Sequence, residues 1–246
     1  MAGLLPGLYE QLLTEGLAEQ LEKLGGRHVV ETSPLHSDEA ADRIALHLGR
    51  LLRQAVNALE PRQRASLGVA LAREIVALLE AKDGSGVEAA DRPLEAATVL
   101  RALLGHRPDG LPATLTLPVT PLLDTTLLTN APGEPRVGHQ LRTEIPSADR
   151  IDVLMAFVRQ TGIRPMLDLL SQHREQGRRL RVLTTTYTGS TELAALQALH
   201  DLGAEIRVSY DTSGTRLHAK AWLFHRASGY STAYIGSSNL THSAQV

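Results

Sequence analysis

Two groups of side chains near the end of the chain have the types and the spacing that phosphate chemistry requires. His218 and Lys220 lie two residues apart, and the sequence Gly-Ser-Ser-Asn follows at 236–239. Residues i and i+2 of a β-strand project from the same face, so the imidazole and the ammonium should lie side by side. The ammonium would attract phosphate charge and would favour the neutral, nucleophilic form of the imidazole.

The second group would complete a phosphate site if the two strands pair in antiparallel fashion. Gly236 permits a tight turn, Ser237 supplies a hydroxyl and Asn239 supplies a carboxamide. Such polar groups, held in place around a phosphate, stabilise the charge on its oxygens. In the alternative interpretation His218 only caps a strand and 236–239 is only a turn. The presence of both groups on neighbouring strands favours the phosphate site.

The elements that must position these groups alternate between strands and helices, which predicts an α/β domain over 122–246. The sheet should be parallel at first, and its last two strands should form a hairpin. Gly177 and Gly203 should end the two helices. Strands are predicted at 149–158, 179–188, 204–211, 218–225 and 231–238, and helices at 163–177 and 190–203.

The first part of the chain has a different pattern, with apolar residues at helical spacing. We predict an all-helical domain over 1–104, in which the helices form a bundle with inward-facing apolar stripes. A segment with four prolines, 105–121, should be a linker or an extended strap. The predicted helices are 6–24, 37–59, 61–81 and 92–105.

The composition excludes several kinds of site and of location. The chain has no cysteine, which excludes disulfides, thiolate zinc sites and cysteine nucleophiles. It shows no secretory leader and no apolar run of about twenty residues, so we expect a cytoplasmic protein without a membrane partner. Residues 1–121 carry 12 basic and 16 acidic side chains, whereas 122–246 carry 13 and 11. This difference favours an anionic partner for the second half.

The two groups at 218–220 and 236–239 resemble the H-x-K…G-S-x-N signature of the phospholipase D superfamily. Members of that superfamily cleave phosphodiesters through a phosphohistidine intermediate. The wider sequence over 122–246 is similar to the phospholipase D-like nuclease domain at the amino end of a group of bacterial superfamily II helicases. Residues 1–104 resemble the region that precedes this domain. The resemblance implies a mixed sheet flanked by helices, preceded by an all-helical region.

The resemblance also implies a role for each motif residue. His218 would attack phosphorus, and Lys220 would neutralise a non-bridging oxygen. Ser237 and Asn239 would fix the phosphate, and Gly236 would contact the substrate together with Ser238. The family acts without a metal or another cofactor, and we find no convincing set of metal ligands in the sequence.

Three departures from the family pattern concern the same site. The usual aspartate five residues after the lysine is His225, and the gap from His225 to Gly236 is longer than usual. In single-domain nucleases of the superfamily, a glutamate downstream of the motif orients the catalytic histidine. Here no acidic residue follows Asp211 before the chain ends at Val246. We therefore expect either an excised domain of a longer helicase or a truncated product.

The family uses two His-Lys sets, one histidine as nucleophile and the other as general acid. Lys23 and Lys82, the other two lysines, follow Leu21 and Glu80 by two residues, so the chain has a single H-x-K motif. The expected partners are therefore a second copy of the chain in a homodimer with a shared active site, DNA, and the helicase motor of the longer protein.

Further candidate residues lie beside the motif. Thr186, Tyr187 and Ser190 follow a strand and precede a helix, where they either line the cleft or only cap the helix. Arg216 is a candidate contact to the DNA backbone. Trp222 and Phe224 should share the face of His218 and Lys220, where packing is the simpler role and base stacking the alternative.

Three functions remain to be compared. The first is a metal-independent phosphodiesterase that acts on DNA, and the second is a chemically silent module that binds phosphate or DNA and dimerises. The third is a lipid phosphodiesterase, which the lack of a membrane anchor or a strongly basic amphipathic helix disfavours. The first two use the same residues, so only a test of the chemistry separates them.

Overall fold

The computed structural model divides the chain into two compact units, Met1–Ala102 and Leu103–Val246. The domain boundaries expected from the sequence stay predictions. No helix in the described part of the chain is long and apolar enough to cross a membrane. The structure describes residues 4–24, 28–106, 110, 117–123, 125–129, 131, 136–187, 189–211, 213–214 and 216–237.

The first unit contains helices but no buried residue among those described. Thr14 caps α1 by accepting a hydrogen bond from the Leu17 amide. Helices α2 and α3 approach closely at Gly68, where an added Cβ would lie 3.4 Å from a methyl group of Val56. The elements are α1 (Glu15–Glu22), α2 (Ser37–Ala58), α3 (Arg64–Glu80) and a 3-10 turn (Ala89–Asp91).

Two expectations for this unit are wrong. The predicted helix 92–105 is absent, and the helix predicted at 6–24 covers only Glu15–Glu22. Instead, the segment after the 3-10 turn is anchored to α3, where Arg73 donates a hydrogen bond to the Pro93 carbonyl at 2.7 Å. Its apolar side chains are exposed, and a short helix without a buried face is marginal in water. The exposed side chains are Leu94, Val99, Leu100 and Leu103.

The expected inward-facing stripes of the bundle are also not realised, because α1, α2 and α3 contain no buried residue. The apolar residues of the stripes are exposed or only half-buried. Helical spacing shows that a helix can present an apolar face, but it does not show that another element covers that face. The exposed apolar side chains include Leu8, Leu13, Ile44, Leu48 and Leu67.

The second unit alternates strands and helices, as the sequence predicts, and adds two helices that the sequence analysis missed, α4 and α5. Gly177 and Gly203 follow the ends of α6 and α7 with φ of +74° and +84°, a conformation that favours glycine. The elements are α4 (Val137–Glu144), β1 (Arg150–Met155), α5 (Gln160–Ile163), α6 (Leu167–Glu175), β2 (Arg179–Thr185), α7 (Leu193–Asp201), β3 (Glu205–Ser209), β4 (Lys220–His225) and β5 (Thr232–Ile235).

The described strands form a mixed five-stranded sheet in the order β3-β2-β1-β4-β5. β1, β2 and β3 are parallel, whereas β4 runs antiparallel to both β1 and β5. The expected sheet, parallel at first and ending in a β4–β5 hairpin, is therefore confirmed. The fold is a mixed sheet flanked by helices, consistent with the expected phospholipase D-like fold.

One face of the sheet carries the core. The crossovers β1→β2→β3 run in one direction, which places their helices on the same side. Strand residues on that side pack with α4 to α7 in a single cluster. The other face is only partly covered, and Leu154, Leu183 and Leu223 are half-buried there. The strand residues of the core cluster are Ile151, Val153, Met155, Leu180, Val182, Trp222 and Phe224.

Candidate active site

Four strand ends meet at one edge of the sheet. β1 and β2 end there at Met155 and Thr185, and β4 begins there at Lys220, directly opposite Met155. β5 also ends at this edge, because the Gly236 amide donates a hydrogen bond to the Lys220 carbonyl at 3.1 Å. The carboxyl edge of the parallel strands is where α/β sheets commonly bind ligands. We call this edge the site edge.

His218 and Lys220 lie side by side at the site edge. The Lys220 Nζ is 3.0 Å from His218 Nδ1 and 3.2 Å from His218 Nε2, and it donates to the His218 carbonyl at 3.0 Å. Lys220 is buried, whereas His218 is exposed. An ammonium can donate only to a ring nitrogen without a proton, so this contact fits a neutral imidazole. The pair therefore combines a fixed positive charge with an accessible nucleophile.

Phe157 also contacts His218, and the sequence analysis did not identify it. The two rings meet edge to face, with centroids 6.0 Å apart and planes at 72°. Such a contact restricts rotation of the imidazole. The sequence predicts a buried strand over the apolar run 149–158, which contains Phe157. β1 in fact ends at Met155, so Phe157 lies outside the strand and contacts His218 at the site edge.

The second motif lies beside the first as far as the structure describes it. Ser237 is exposed directly after Gly236, next to Lys220. A Cβ added to Gly236 would meet no atom of the described residues within 4 Å, so their packing does not require a glycine there. Ser238 and Asn239, the other predicted substrate contacts in this motif, lie outside the described residues.

Tyr187 and Arg216 form a pair at the same edge. The Arg216 Nη1 donates to the Tyr187 hydroxyl at 2.9 Å, and its Cζ lies 4.9 Å from the ring centroid. Arg216 is exposed, so it stays accessible to an anion, although one of its donors is occupied. Thr186 is exposed at the end of β2, where its amide donates to the Ser209 carbonyl at 3.2 Å.

The start of α7 differs from its prediction. The residue at the helix N-cap is Glu192, not Ser190, and the helix begins at Leu193. The Glu192 carboxylate accepts a hydrogen bond from the Gln160 amide at 2.8 Å. A carboxylate at this position competes with an external anion for the positive end of the helix. The geometry therefore offers less support for anion binding at α7 than at the His218–Lys220 pair.

His225 occupies the position of the family's aspartate, but it points to the opposite face of the sheet from Lys220. Its Nε2 lies 2.9 Å from Asp152 Oδ2 on β1, so an acidic group pairs with it from another strand. Asp152 also accepts two hydrogen bonds of 2.6 Å from Arg181. These bonds are the main reason that the pKa of Asp152 is lowered. The position of the family's aspartate is thus occupied by a histidine that belongs to a charged cluster with Asp152 and Arg181.

Trp222 and Phe224 lie on the Lys220 face of β4, as alternation predicts. Both are buried, their rings are stacked with centroids 5.8 Å apart, and they belong to the core cluster. Their role in the structure is packing rather than contact with a base. In the described part of the chain, no three His, Asp or Glu side chains come together in a way that could hold a metal ion.

Comparison with known proteins finds a family model that matches part of the second half of the chain. Residues 141–246 match the family model described as "Cardiolipin synthase, PLD-like domain". The match supports a phospholipase D-like domain over these residues, which suggests phosphodiesterase-type activity. A solved structure, the polyphosphate kinase from Porphyromonas gingivalis, is similar with 20% identity and a TM-score of 0.29, over 38% of this chain and 14% of that chain. No curated protein matches.

Proposed function

We propose that the chain is a metal-independent phosphodiesterase that cleaves DNA through a phosphohistidine at His218, because residues 141–246 match the model of a phospholipase D-like domain. The observation that carries the proposal is the contact between Lys220 Nζ and His218 Nδ1 at 3.0 Å. It places a buried cation against an exposed imidazole at the site edge. This arrangement fits attack on a phosphodiester, which is an anion.

The reaction then has two steps. In the first, a ring nitrogen of His218 attacks phosphorus, the P–N bond forms, and the P–O bond to one DNA fragment breaks. A general acid donates a proton to the departing oxygen. In the second step, water attacks phosphorus and gives its proton to the same group, now a base. The P–N bond breaks, and His218 is released in its neutral form.

Lys220 would hold a non-bridging oxygen throughout, because its charge is fixed in position by contacts to the His218 ring and carbonyl. Ser237 would donate its hydroxyl to another phosphate oxygen from the adjacent strand end. Asn239 and Ser238 are assigned to the same phosphate from the sequence motif alone. Gly236 would leave the space that the phosphate fills.

The general acid would come from a second copy of the chain. Only one H-x-K motif is present in the sequence, so a second His218 requires a homodimer with the two site edges facing each other. Sedimentation at the concentration used for activity should show a dimer. A monomer that still cleaves phosphodiesters would exclude the shared site.

DNA is the proposed substrate because of the resemblance to helicase-associated nuclease domains and because Arg216 is exposed at the site edge. A guanidinium there can bind a neighbouring backbone phosphate. The helicase motor of a longer bacterial, cytoplasmic protein would then be a partner in the same chain. Binding should weaken as salt is raised, as expected when phosphates are neutralised by basic side chains.

A second function is favoured by one observation. In the part of the chain that the structure describes, no carboxylate contacts the His218 ring, whereas catalytic histidines are usually oriented by an acidic group. Phe157 and Lys220 contact the ring instead. The same site edge would then serve as a chemically silent module that binds DNA phosphates and dimerises.

Cleavage of labelled single- and double-stranded DNA in excess EDTA separates the two functions. The wild type should cleave, and His218→Ala and Lys220→Ala should not. His200→Ala is the matched control, since His200 is exposed in the last turn of α7 and should leave cleavage unchanged. Salt-sensitive binding without cleavage by the wild type would instead support the silent module.

A further inference from the structure

A buried ion pair lies on the core side of β5, away from the His218–Lys220 pair. Glu144, the last residue of α4, has no exposed surface, and its carboxylate pairs with the guanidinium of Arg226. The Arg226 side chain is only 7% exposed. Arg226 also donates to Ser147 Oγ at 2.7 Å and to the Tyr230 carbonyl at 2.8 Å. A buried charge pair is stable only when such additional bonds satisfy both groups.

The Glu144 carboxylate also holds β5 directly. Thr232 Oγ1 donates to Glu144 Oε2 at 2.9 Å, and the Tyr234 hydroxyl donates to Glu144 Oε1 at 2.8 Å. Burial and the neighbouring Glu144 charge raise the pKa of Tyr234, so its hydroxyl stays protonated and able to donate. One carboxylate therefore binds two side chains, i and i+2, of the same strand. We call Glu144, Arg226, Thr232 and Tyr234 the β5 clamp.

The clamp is significant because the hydrophobic pattern of β5 does not fix its register. The strand has four residues and pairs only with β4 among the described strands. Its core-facing residues are Thr232 and Tyr234, whereas Ala233 and Ile235 point to the open face, where Ile235 is 81% exposed. A one-residue slip would bury Ala233 and Ile235 but would remove Tyr234 from its contact with Phe224, so apolar burial distinguishes the two registers only weakly.

The slip is opposed by the clamp. It would turn Thr232 and Tyr234 away from Glu144 and leave a fully buried carboxylate without its two hydroxyl donors. A buried charge that loses hydrogen bonds costs more than a small apolar side chain gains on burial. The polar contacts, rather than the apolar pattern, therefore specify how β5 pairs with β4.

We infer that Glu144 is a positioning residue, which fixes the register of β5 through Thr232 and Tyr234 and so places Gly236 and Ser237 beside Lys220. The clamp is close to the site edge along the chain, because Gly236 follows Tyr234 by two residues and its amide donates to the Lys220 carbonyl. The consequence for catalysis rests on the proposed function, whereas the consequence for strand register does not. The two are therefore tested by separate measurements.

The register can be measured by disulfide formation, because the chain has no cysteine of its own. The bond from Gly236 to Lys220 makes that pair hydrogen-bonded, so Leu223 and Ala233, three steps along, form a non-hydrogen-bonded pair. Such pairs have Cα atoms about 4.5 Å apart, within the range that a disulfide spans. The reporter is Leu223→Cys with Ala233→Cys. The negative control is Ala221→Cys with Ala233→Cys, two residues that do not lie opposite each other in the observed register.

The clamp variants are Glu144→Gln, Tyr234→Phe and Thr232→Val, each placed in both cysteine backgrounds. Thr232→Ser is the conservative rescue, since it keeps the hydroxyl that Thr232→Val removes. All measurements are made well below the midpoint of thermal unfolding. If Glu144→Gln does not fold, Tyr234→Phe and Thr232→Val each still remove one donor while leaving the buried ion pair in place.

We expect Glu144→Gln, Tyr234→Phe and Thr232→Val each to lower the yield of the 223–233 disulfide by more than half, and Thr232→Ser to retain it. The kcat for DNA cleavage should fall together with this yield, by up to about 100-fold if Ser237 moves by about 1 Å. Folded variants with unchanged disulfide yield would overturn the inference. A changed yield in a protein that cleaves no DNA would support the inference and reject the proposed function.

Discussion

The two units of the chain differ in how they use apolar residues. Each buried residue in the described part of the chain lies between Gln140 and Phe224, in the second unit. The first unit has long helices, yet their apolar side chains are exposed or only half-buried. Side chains in a close-packed core sit in defined positions, whereas exposed ones keep their rotamer freedom. A site that must hold groups 3 Å apart therefore belongs to the unit with a core.

The largest loss of stability should appear when a core aromatic side chain of the second unit is removed. Phe224→Ala should cost about 3–5 kcal/mol, because Phe224 is fully buried in β4 and stacks on Trp222. Trp222 is the only tryptophan of the chain, so its fluorescence during urea unfolding reports on the second unit alone. A loss below about 1 kcal/mol would mean that this unit lacks a tightly packed core.

A smaller loss of stability in the second unit should appear when the pH is lowered. His173 is buried in α6, and burial is the main cause of its lowered pKa. The unfolded chain therefore binds a proton more readily than the folded one. Stability should fall as the pH drops below about 6.5, the ordinary value for histidine, until the folded state also takes up the proton. Urea unfolding of the wild type between pH 8 and pH 5, read by Trp222 fluorescence, measures this loss.

His173→Gln provides the comparison for the pH measurement. It removes the titrating group but keeps an amide that can donate to the Arg179 carbonyl, which lies 3.3 Å from His173 Nε2. The wild type should lose more stability than this variant over the same pH range. Equal losses would show that burial of His173 contributes nothing to the pH dependence of the second unit.

The smallest effect should come from the first unit. Leu48 in α2 is 57% exposed, so Leu48→Ala should change stability by no more than about 0.5 kcal/mol. The same substitution at the buried Leu170 of α6 is the matched control and should cost about 2–5 kcal/mol. The stability of both variants is measured by urea unfolding followed by far-ultraviolet circular dichroism, which reports on the helices of both units. A comparable loss at Leu48 would show that a partner or a second copy covers α2.

Much of the second unit could be predicted from the sequence because its signals are local. Each of the five strands was expected, and so were the two glycines that end α6 and α7. The Lys220 face of β4 follows from alternation alone, since Lys220, Trp222 and Phe224 are buried in turn. The proximity of Lys220 and Gly236 required only the correct hairpin pairing.

The missed features depend on residues far apart in the chain. Helix α4 was not predicted, because Gln140 and Glu144 are polar and yet face the interior, which obscures the apolar spacing of Leu141 with its neighbours. The partners of Glu144 lie more than 80 residues away, at Arg226 and Tyr234. The helix expected at 92–105 is absent for the opposite reason, since its local pattern is helical but no element among the described residues buries its apolar side chains.

The central claim is that His218 is the nucleophile at the site edge. It is tested most directly by mixing the protein with end-labelled DNA in excess EDTA, quenching during turnover and locating the label by mass spectrometry of the peptides. The account predicts a DNA fragment or phosphate attached through a P–N bond to His218, and no adduct in His218→Ala. Cleavage without any adduct, or an adduct on another histidine such as His225, would contradict it.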